Sequence, residues 1–232
     1  MIFSILSNFL GGGNVDITSI VISLLVCIPI AMLSLSVHET AHGYVAYKLG
    51  DPTARSMGRL SLNPLKHFDL FGFISFVLLG YGWAKPVPIN PRYFKDPKKG
   101  MALTAAAGPL SNLALAIIFA TLYGSSLKFL LRVSFPNEAT LILAEAFLSL
   151  LYAGVSLNVS LMIFNLIPVP PFDGSRIFLS FLPPKYYWKI MQYERYIYMA
   201  FLILLVIGVF DKPINIARNF VLDLILDLFI RI

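Results

Sequence analysis

The chain has 232 residues, of which 58% are hydrophobic and only 13% are charged. Soluble domains carry about 25% charged residues, so the composition excludes an ordinary soluble domain and is typical of a protein with several membrane spans. The net charge of +6 does not indicate nucleic-acid binding, because the basic residues cluster between apolar segments. A single cysteine, Cys27, excludes an intrachain disulfide and a cysteine-rich zinc site.

The N-terminal part of the chain contains two apolar segments separated by glycines. Residues 1–13 are short and lack basic residues, which predicts an interfacial segment rather than a cleaved signal peptide. Residues 17–49 form an apolar run long enough to span a bilayer of about 30 Å, and a Gly-Asp-Pro sequence stops it. We therefore predict the first transmembrane helix over residues 17–49.

This first span contains the sequence His-Glu-Thr-Ala-His at residues 38–42. On a helix, His38 and His42 share one face about 6 Å apart along the axis, so both can bind one zinc ion. Glu39 is then placed to take a proton from a metal-bound water. The alternative is two satisfied core histidines with Glu39 paired to a lysine. Three ionisable groups in an apolar helix favour the functional interpretation.

The next region, residues 51–99, is basic and rich in proline. Alternating polar and apolar residues over 58–64 predict a short strand, and the apolar run over 71–79 is too short to span. Three prolines within 83–91 exclude a regular helix or a central strand. We predict a re-entrant or short β region beside the site, whose edge at 58–62 or 86–91 could pair with an unwound substrate.

Three further spans and a tail are predicted in the C-terminal part of the chain. The spans cover residues 101–123, 141–164 and 196–210, and residues 212–232 form an amphipathic surface helix. The predicted fold class is an all-α polytopic membrane protein: about four transmembrane helices, the re-entrant or short β region and the C-terminal amphipathic helix. The whole chain, 1–232, is expected to be one membrane-embedded domain.

The distribution of lysine and arginine predicts an orientation. Nine basic residues lie in 48–99 and four in 165–195, whereas 124–139 contains two. The basic loops are expected to face the cytosol, as the positive-inside rule requires. The His-Glu-Thr-Ala-His end of the first span and the end of the third span then lie on the same side.

A catalytic zinc usually has three protein ligands and a water, so a third ligand is needed. Asp173 is the best candidate, because it follows a proline-stiffened segment at the cytosolic end of the third span. Its alternative role is a turn residue or helix N-cap, and the residues alone leave both open. His67 is expected to be an interface or loop residue and Glu145 to lie near the opposite face. Asn112, a polar residue in an apolar span, either packs between helices or touches the site.

Five motifs follow one another along the chain. They are the His-Glu-Thr-Ala-His of 38–42, the Gly-Arg-Leu-Ser-Leu-Asn-Pro-Leu-Lys-His of 58–67, the Lys-Pro-Val-Pro of 85–88, the Ala-Gly-Pro-Leu-Ser-Asn of 107–112, and Asn165-x-x-Pro168-x-Pro170-x-x-Asp173-Gly174. In this order they resemble the motifs of the site-2 protease family of intramembrane zinc metalloproteases. The resemblance extends over roughly residues 35–180 and points to the minimal, mostly prokaryotic branch without PDZ or CBS domains.

The resemblance implies roles for particular residues. It makes His38, His42 and Asp173 the ligands of Zn²⁺ and makes Glu39 the general base and later the acid. Asn165 is similar to an asparagine that steadies the substrate or its oxyanion, with a helix C-cap as its alternative role.

The resemblance also implies a substrate and a location. The implied activity is hydrolysis of peptide bonds in or near transmembrane segments of membrane proteins. The partners would be a transmembrane protein substrate and the lipid bilayer, in a multi-pass plasma-membrane protein whose active site opens toward the cytosol. The rival interpretations are a non-proteolytic zinc-binding membrane protein, such as a transporter or pseudo-enzyme, and a soluble zinc protease with a very apolar core.

Overall fold

The computed structural model describes residues 17–79 and 83–230, and most of these residues are helical. The interfacial segment predicted over residues 1–13 lies outside the described residues. Two short 3-10 helices lie between the first and second long helices. The α-helices of the described chain are α1 (Ile17–Lys48), α2 (Thr53–Ser56), α3 (Leu70–Leu79), α4 (Pro97–Leu130), α5 (Glu138–Asn165), α6 (Asp173–Leu179), α7 (Pro184–Gln192), α8 (Glu194–Val206) and α9 (Asp211–Ile230), and the 3-10 helices are Pro64–Lys66 and Pro91–Tyr93.

Three helices in the described part of the chain are long and apolar enough to cross a membrane: α1 over Leu25–Lys48, and the whole of α4 and α5. They coincide with the first three predicted spans. α4 begins four residues earlier than predicted because Asp96 accepts hydrogen bonds from two backbone amides of the first turn, and Pro97 occupies its first position. α1 ends where Gly50 adopts φ 108°, a conformation that glycine reaches without strain.

The fourth span predicted over residues 196–210 is not supported. The helix found there, α8, has 13 residues and is therefore about 20 Å long, short of the roughly 30 Å that a bilayer requires. The chain turns at Gly208, where φ is 83°, and α9 then begins. Apolar residues continue through this turn, so hydrophobicity does not reveal the interruption.

The β structure predicted within residues 51–99 is also not supported, because the described chain contains no strand. A strand needs a ladder of hydrogen bonds to a neighbour. Here the Lys85 amide donates to the His67 carbonyl at 2.8 Å, and the Arg59 guanidinium donates to the Lys85 carbonyl at 2.7 Å. Isolated hydrogen bonds, one of them from a side chain, therefore hold the segments before and after α3 together without forming a sheet.

An apolar core is shared by α4, α5 and the C-terminal helix α9. Small residues of α4 allow close approach to α5, since their side chains do not separate the two backbones. α9 contributes two buried residues, so it packs on the bundle with one face. The buried members of this core are Ala116, Ala120, Val155, Val159, Leu222 and Ile225.

Candidate active site

The two histidines of the His-Glu-Thr-Ala-His sequence lie one turn apart on α1. His38 is 4% exposed and His42 is 7% exposed. Their Nε2 atoms are 2.9 Å apart, and the rings meet edge to face. The four-residue spacing within an unbroken helix therefore brings both rings to one point against α4.

Asp173 joins this pair from the first turn of α6. Its Oδ2 atom lies 3.2 Å from Nε2 of His38 and 3.2 Å from Nε2 of His42. The three potential ligand atoms all lie within 4.8 Å of one another. Burial raises the pKa of the Asp173 carboxyl, but hydrogen bonding to the histidine rings and their charge lower this pKa to about 2. Asp173 is therefore anionic at neutral pH.

The sharp turn after α5 brings Asp173 to the histidines. Prolines at 168, 170 and 171 keep this turn non-helical. A Cβ atom on Gly174 would overlap the carbonyl of Leu166, so only glycine allows α6 to start this close to α5. The N-cap residue of α6 is Phe172. The carboxylate of Asp173 is thus directed at the histidines and does not cap the helix.

The outer nitrogen of each histidine has an acceptor that fixes its proton. Nδ1 of His42 lies 2.8 Å from the carbonyl oxygen of Thr104. Because a carbonyl oxygen only accepts, this nitrogen is the donor. Nδ1 of His38 lies 2.6 Å from Oδ1 of Asn112. The second contact also makes the histidine the donor, provided that the amide of Asn112 is oriented with its oxygen toward the ring.

A chain of buried amides sets that orientation. Asn158 donates from Nδ2 to the carbonyl oxygen of Gly154 at 2.9 Å, so its Oδ1 must be the acceptor on the other side. That oxygen receives a hydrogen bond of 3.0 Å from Nδ2 of Asn112. The Oδ1 atom of Asn112 therefore faces His38, and one backbone carbonyl of α5 determines the tautomer of a histidine on α1.

The residues of the cluster fit a bound metal cation. If each ring carries its proton on Nδ1 alone, the rings present two Nε2 lone pairs to each other and to the anionic oxygen of Asp173. Such an arrangement is repulsive unless a positive charge lies among the three atoms. Two imidazole nitrogens and one carboxylate are a donor set that suits zinc and leaves a coordination position for water or substrate.

Gly108 of α4 provides the space that the cluster needs. A Cβ atom at this position would lie 2.5 Å from Cε1 of His38 and 2.5 Å from Nε2 of His42. Atoms do not approach so closely, so any larger residue would displace the two rings. The glycine is therefore part of the site although it offers no ligand atom.

Glu39 lies next to the cluster and is half-buried. Its Oε2 atom accepts a hydrogen bond of 2.7 Å from the backbone amide of Val87, in the proline-rich segment before α4. Its other carboxylate oxygen has no hydrogen-bond partner among the described residues. One oxygen is thus anchored, and the second is available to exchange a proton.

Three other residues considered from the sequence lie outside the cluster. Asn165 is the last residue of α5, and its Nδ2 donates to the carbonyl of Leu161 at 2.9 Å. His67 is buried, and its Nε2 bonds to the carbonyl of Ser61 at 2.7 Å. Glu145 is exposed in the first half of α5.

Sequence reasoning missed the residues that support the histidines and Glu39. Thr104 and Val87 act through backbone atoms, which no side-chain pattern reveals. Gly108 belongs to a run of small residues whose simplest interpretation is helix packing. Asn158 was not considered at all, although a second asparagine in an apolar span is a signal of the same kind as Asn112.

Comparison with known proteins assigns the chain to a family. Residues 129–208 match the model of peptidase family M50. The protein YwhC of Bacillus subtilis is 42% identical over 175 residues, which are 75% of this chain and 77% of the relative. The protein MJ0611 of Methanocaldococcus jannaschii is 31% identical over 167 residues, which are 71% of this chain and 73% of the relative.

A third relative is more distant. Rip2 of Mycolicibacterium smegmatis is 28% identical over 149 residues, which are 62% of this chain and about half of the relative, 52%. All three relatives carry names that describe them as zinc metalloproteases. No solved structure matches the chain. The chain belongs to peptidase family M50, the zinc-dependent metalloproteases of the site-2 protease type.

Proposed function

We propose that the chain is an intramembrane protease in which His38, His42 and Asp173 hold the zinc ion. The observation that carries this proposal is the convergence of two Nε2 atoms and one carboxylate oxygen within 3.2 Å of one another. When bound, zinc would polarise the scissile carbonyl and lower the pKa of a water toward about 7.

Glu39 is the general base in this proposal. It follows His38 directly, and the Val87 amide fixes one of its oxygens. The second oxygen takes a proton from the attacking water and returns it to the leaving amine. A carboxylate anchored by a backbone donor loses little mobility during the reaction, since it is already held in place.

Asn165 is the proposed donor to the oxyanion of the substrate. Its amide nitrogen has two hydrogens, and the bond to the Leu161 carbonyl uses only one of them. The second hydrogen remains for the substrate carbonyl as negative charge develops there. The same bond to Leu161 also satisfies a carbonyl near the end of α5, as a C-terminal cap would.

The proposed substrate is a transmembrane segment of another membrane protein. The histidines lie in α1, one of the three helices able to cross a membrane, so the scissile bond must reach membrane depth. We further propose that residues 1–232 form one membrane-embedded domain in the plasma membrane, with the site open to the cytosol. The basic residues beside α1, α4 and α5 support that orientation.

The function is tested by measuring bound zinc and cleavage of a model transmembrane peptide for the wild type and for Glu39→Gln. We expect about one zinc per chain in both proteins, because Glu39 is not a ligand. Cleavage should fall at least about a hundredfold in the variant, as for loss of a general base. Zinc in both proteins with equal cleavage would contradict the role of Glu39, and a zinc-replete wild type without zinc would contradict the site.

A further inference from the structure

A cavity of about 520 Å³ lies beside the candidate site, between α1, the segment before α4, α5 and α9. Its volume falls within the range of pockets that enclose a ligand. Its walls extend toward the site along two helices. Ser36 of α1 lies one turn before Glu39 on the same face of the helix. Leu161 of α5 lies one turn before Asn165, and its carbonyl accepts the hydrogen bond from the Asn165 amide. A group bound in this cavity would therefore be a near neighbour of the reacting bond.

One permanent cation, Arg218 of α9, lines this mostly apolar cavity. Its Nε atom donates to Oγ of Ser160 at 2.9 Å, and its two terminal nitrogens donate to Ser156 and Asn219. All three partners are neutral. Arg218 takes part in none of the ion pairs found among the described residues. It is a half-buried cation that neutral groups hold in place.

A carboxylate in the cavity wall, Asp69, forms no ion pair with Arg218. Its Oδ1 instead accepts a hydrogen bond of 2.8 Å from the amide of Gly72 at the start of α3. A charge that is half-buried in a mostly apolar wall is costly without an ionic partner. The guanidinium matches a carboxylate, because its N–H groups fit two carboxylate oxygens.

We propose that this cavity is a specificity pocket in which Arg218 binds an acidic side chain of an otherwise apolar substrate segment. The inference rests on the proposed function and names the substrate feature that the site prefers. The apolar walls accept the neighbouring side chains, and the single cation accepts one glutamate or aspartate. Continuity with α1 and α5 beside the metal cluster favours the polypeptide being cut over a lipid as the occupant.

The test uses the zinc-loaded full chain in vesicles of neutral phosphatidylcholine. Model transmembrane peptides carry Glu, Gln or Lys at successive positions on both sides of the cleaved bond. We expect the wild type to favour Glu over Gln at one position by roughly tenfold in kcat/KM, the value of one charge-assisted hydrogen bond. The preference should vanish in Arg218→Gln and change toward Lys in Arg218→Glu. The control variant Arg132→Glu, which changes an exposed arginine far from the cavity, should retain the preference for Glu.

The outcomes separate the two proposals. A wild type that cleaves these peptides without preference for Glu at any position overturns the pocket and leaves the protease function intact. Equal losses for Glu, Gln and Lys peptides in the Arg218 variants also overturn it, as does a dependence of those losses on added anionic lipid. Bound zinc with no cleavage of any peptide overturns the proposed function itself. The wild-type comparison of Glu and Gln peptides stands even if an Arg218 variant misfolds.

Discussion

At the level of single residues, the histidines depend on a second set of polar groups across the helix interface. Asn112 is fully buried, and its oxygen is the acceptor that holds Nδ1 of His38. Such an acceptor orients the ring and makes the other nitrogen a better ligand. Asn158 supports the ring of His38 indirectly, because it orients the amide of Asn112.

Replacement of Asn112 by leucine removes this acceptor while nearly preserving the volume of the side chain. We expect Asn112→Leu to weaken zinc binding by about ten- to a hundredfold, the usual effect of losing such a partner. Asn158→Leu should have a smaller effect of the same sign. Competition with a chelator of known affinity measures both. Unchanged zinc affinity in Asn112→Leu would show that the hydrogen bond to His38 does not support the metal.

Gly108 allows a residue-scale test that uses a matched control in the same helix. In Gly108→Ala the new methyl group would overlap both histidine rings, so zinc binding and cleavage should be lost. In Gly100→Ala the methyl group would instead overlap the ring of Phe94. We expect both variants to unfold at a lower temperature, by a few degrees or more. Only Gly108→Ala should lose zinc, as measured by metal analysis, and equal zinc contents would contradict the role of Gly108.

At the level of elements, α1 and α4 pack antiparallel, and the residues of the site lie on their facing sides. Thr104, Gly108 and Asn112 recur every four residues on one face of α4, opposite His42 and His38 on α1. His42 contacts Thr104, and His38, one turn earlier on α1, contacts Asn112, two turns later on α4. This register explains why the cluster forms where two apolar helices approach closely, since a glycine lies at the crossing.

The long helices and the shared face of the two histidines could be predicted from the sequence because their signals are local. Apolar length reveals α1, α4 and α5, and the spacing of His38 and His42 reveals a shared face. The pairing of Asn112 with Asn158 could not be predicted, because the two residues are 46 positions apart and meet only through helix packing. The end of α8 was missed because one glycine conformation, at Gly208, determines it.

The extended segment over residues 84–90 is the element that positions Glu39. Arg59 holds one end through the Lys85 carbonyl, and Asp51 holds the other through the Asn90 amide at 2.7 Å. Asp51 is fully buried, which fixes this end against α1. The amide of Val87, between these two anchors, therefore reaches Glu39 from a restrained backbone.

Replacement of Val87 by proline removes the N–H group that donates to Glu39. We expect Val87→Pro to lower kcat by about ten- to a hundredfold, the equivalent of one hydrogen bond to a charged group. Zinc content should be unchanged, because no ligand is touched. Val87→Ala keeps the N–H group and is the matched control for lost packing. Equal values of kcat for the two variants would contradict the role of this amide.

At the level of the whole molecule, the cluster of His38, His42 and Asp173 lies toward the end of the bundle that carries most of the positive charge. α1 ends there, α4 begins there and α5 ends there, because His42 contacts Thr104 and Asp173 follows α5 by a short turn. The two neighbouring loops together contain most of the lysines and arginines of the chain. Charge and site therefore point to the same side of the membrane.

That orientation can be measured with single cysteines introduced into a Cys27→Ser background. Lys95→Cys marks the loop before α4, and Val133→Cys marks the loop between α4 and α5; both positions are exposed. In intact bacterial cells we expect a membrane-impermeant maleimide to label position 133 and to leave position 95 unlabelled, because the basic loop should be cytosolic. Permeabilised cells, the control, should show labelling at both positions. Labelling of position 95 but not of position 133 in intact cells would place the zinc site on the outer side, and the substrate would then have to be cut from that face.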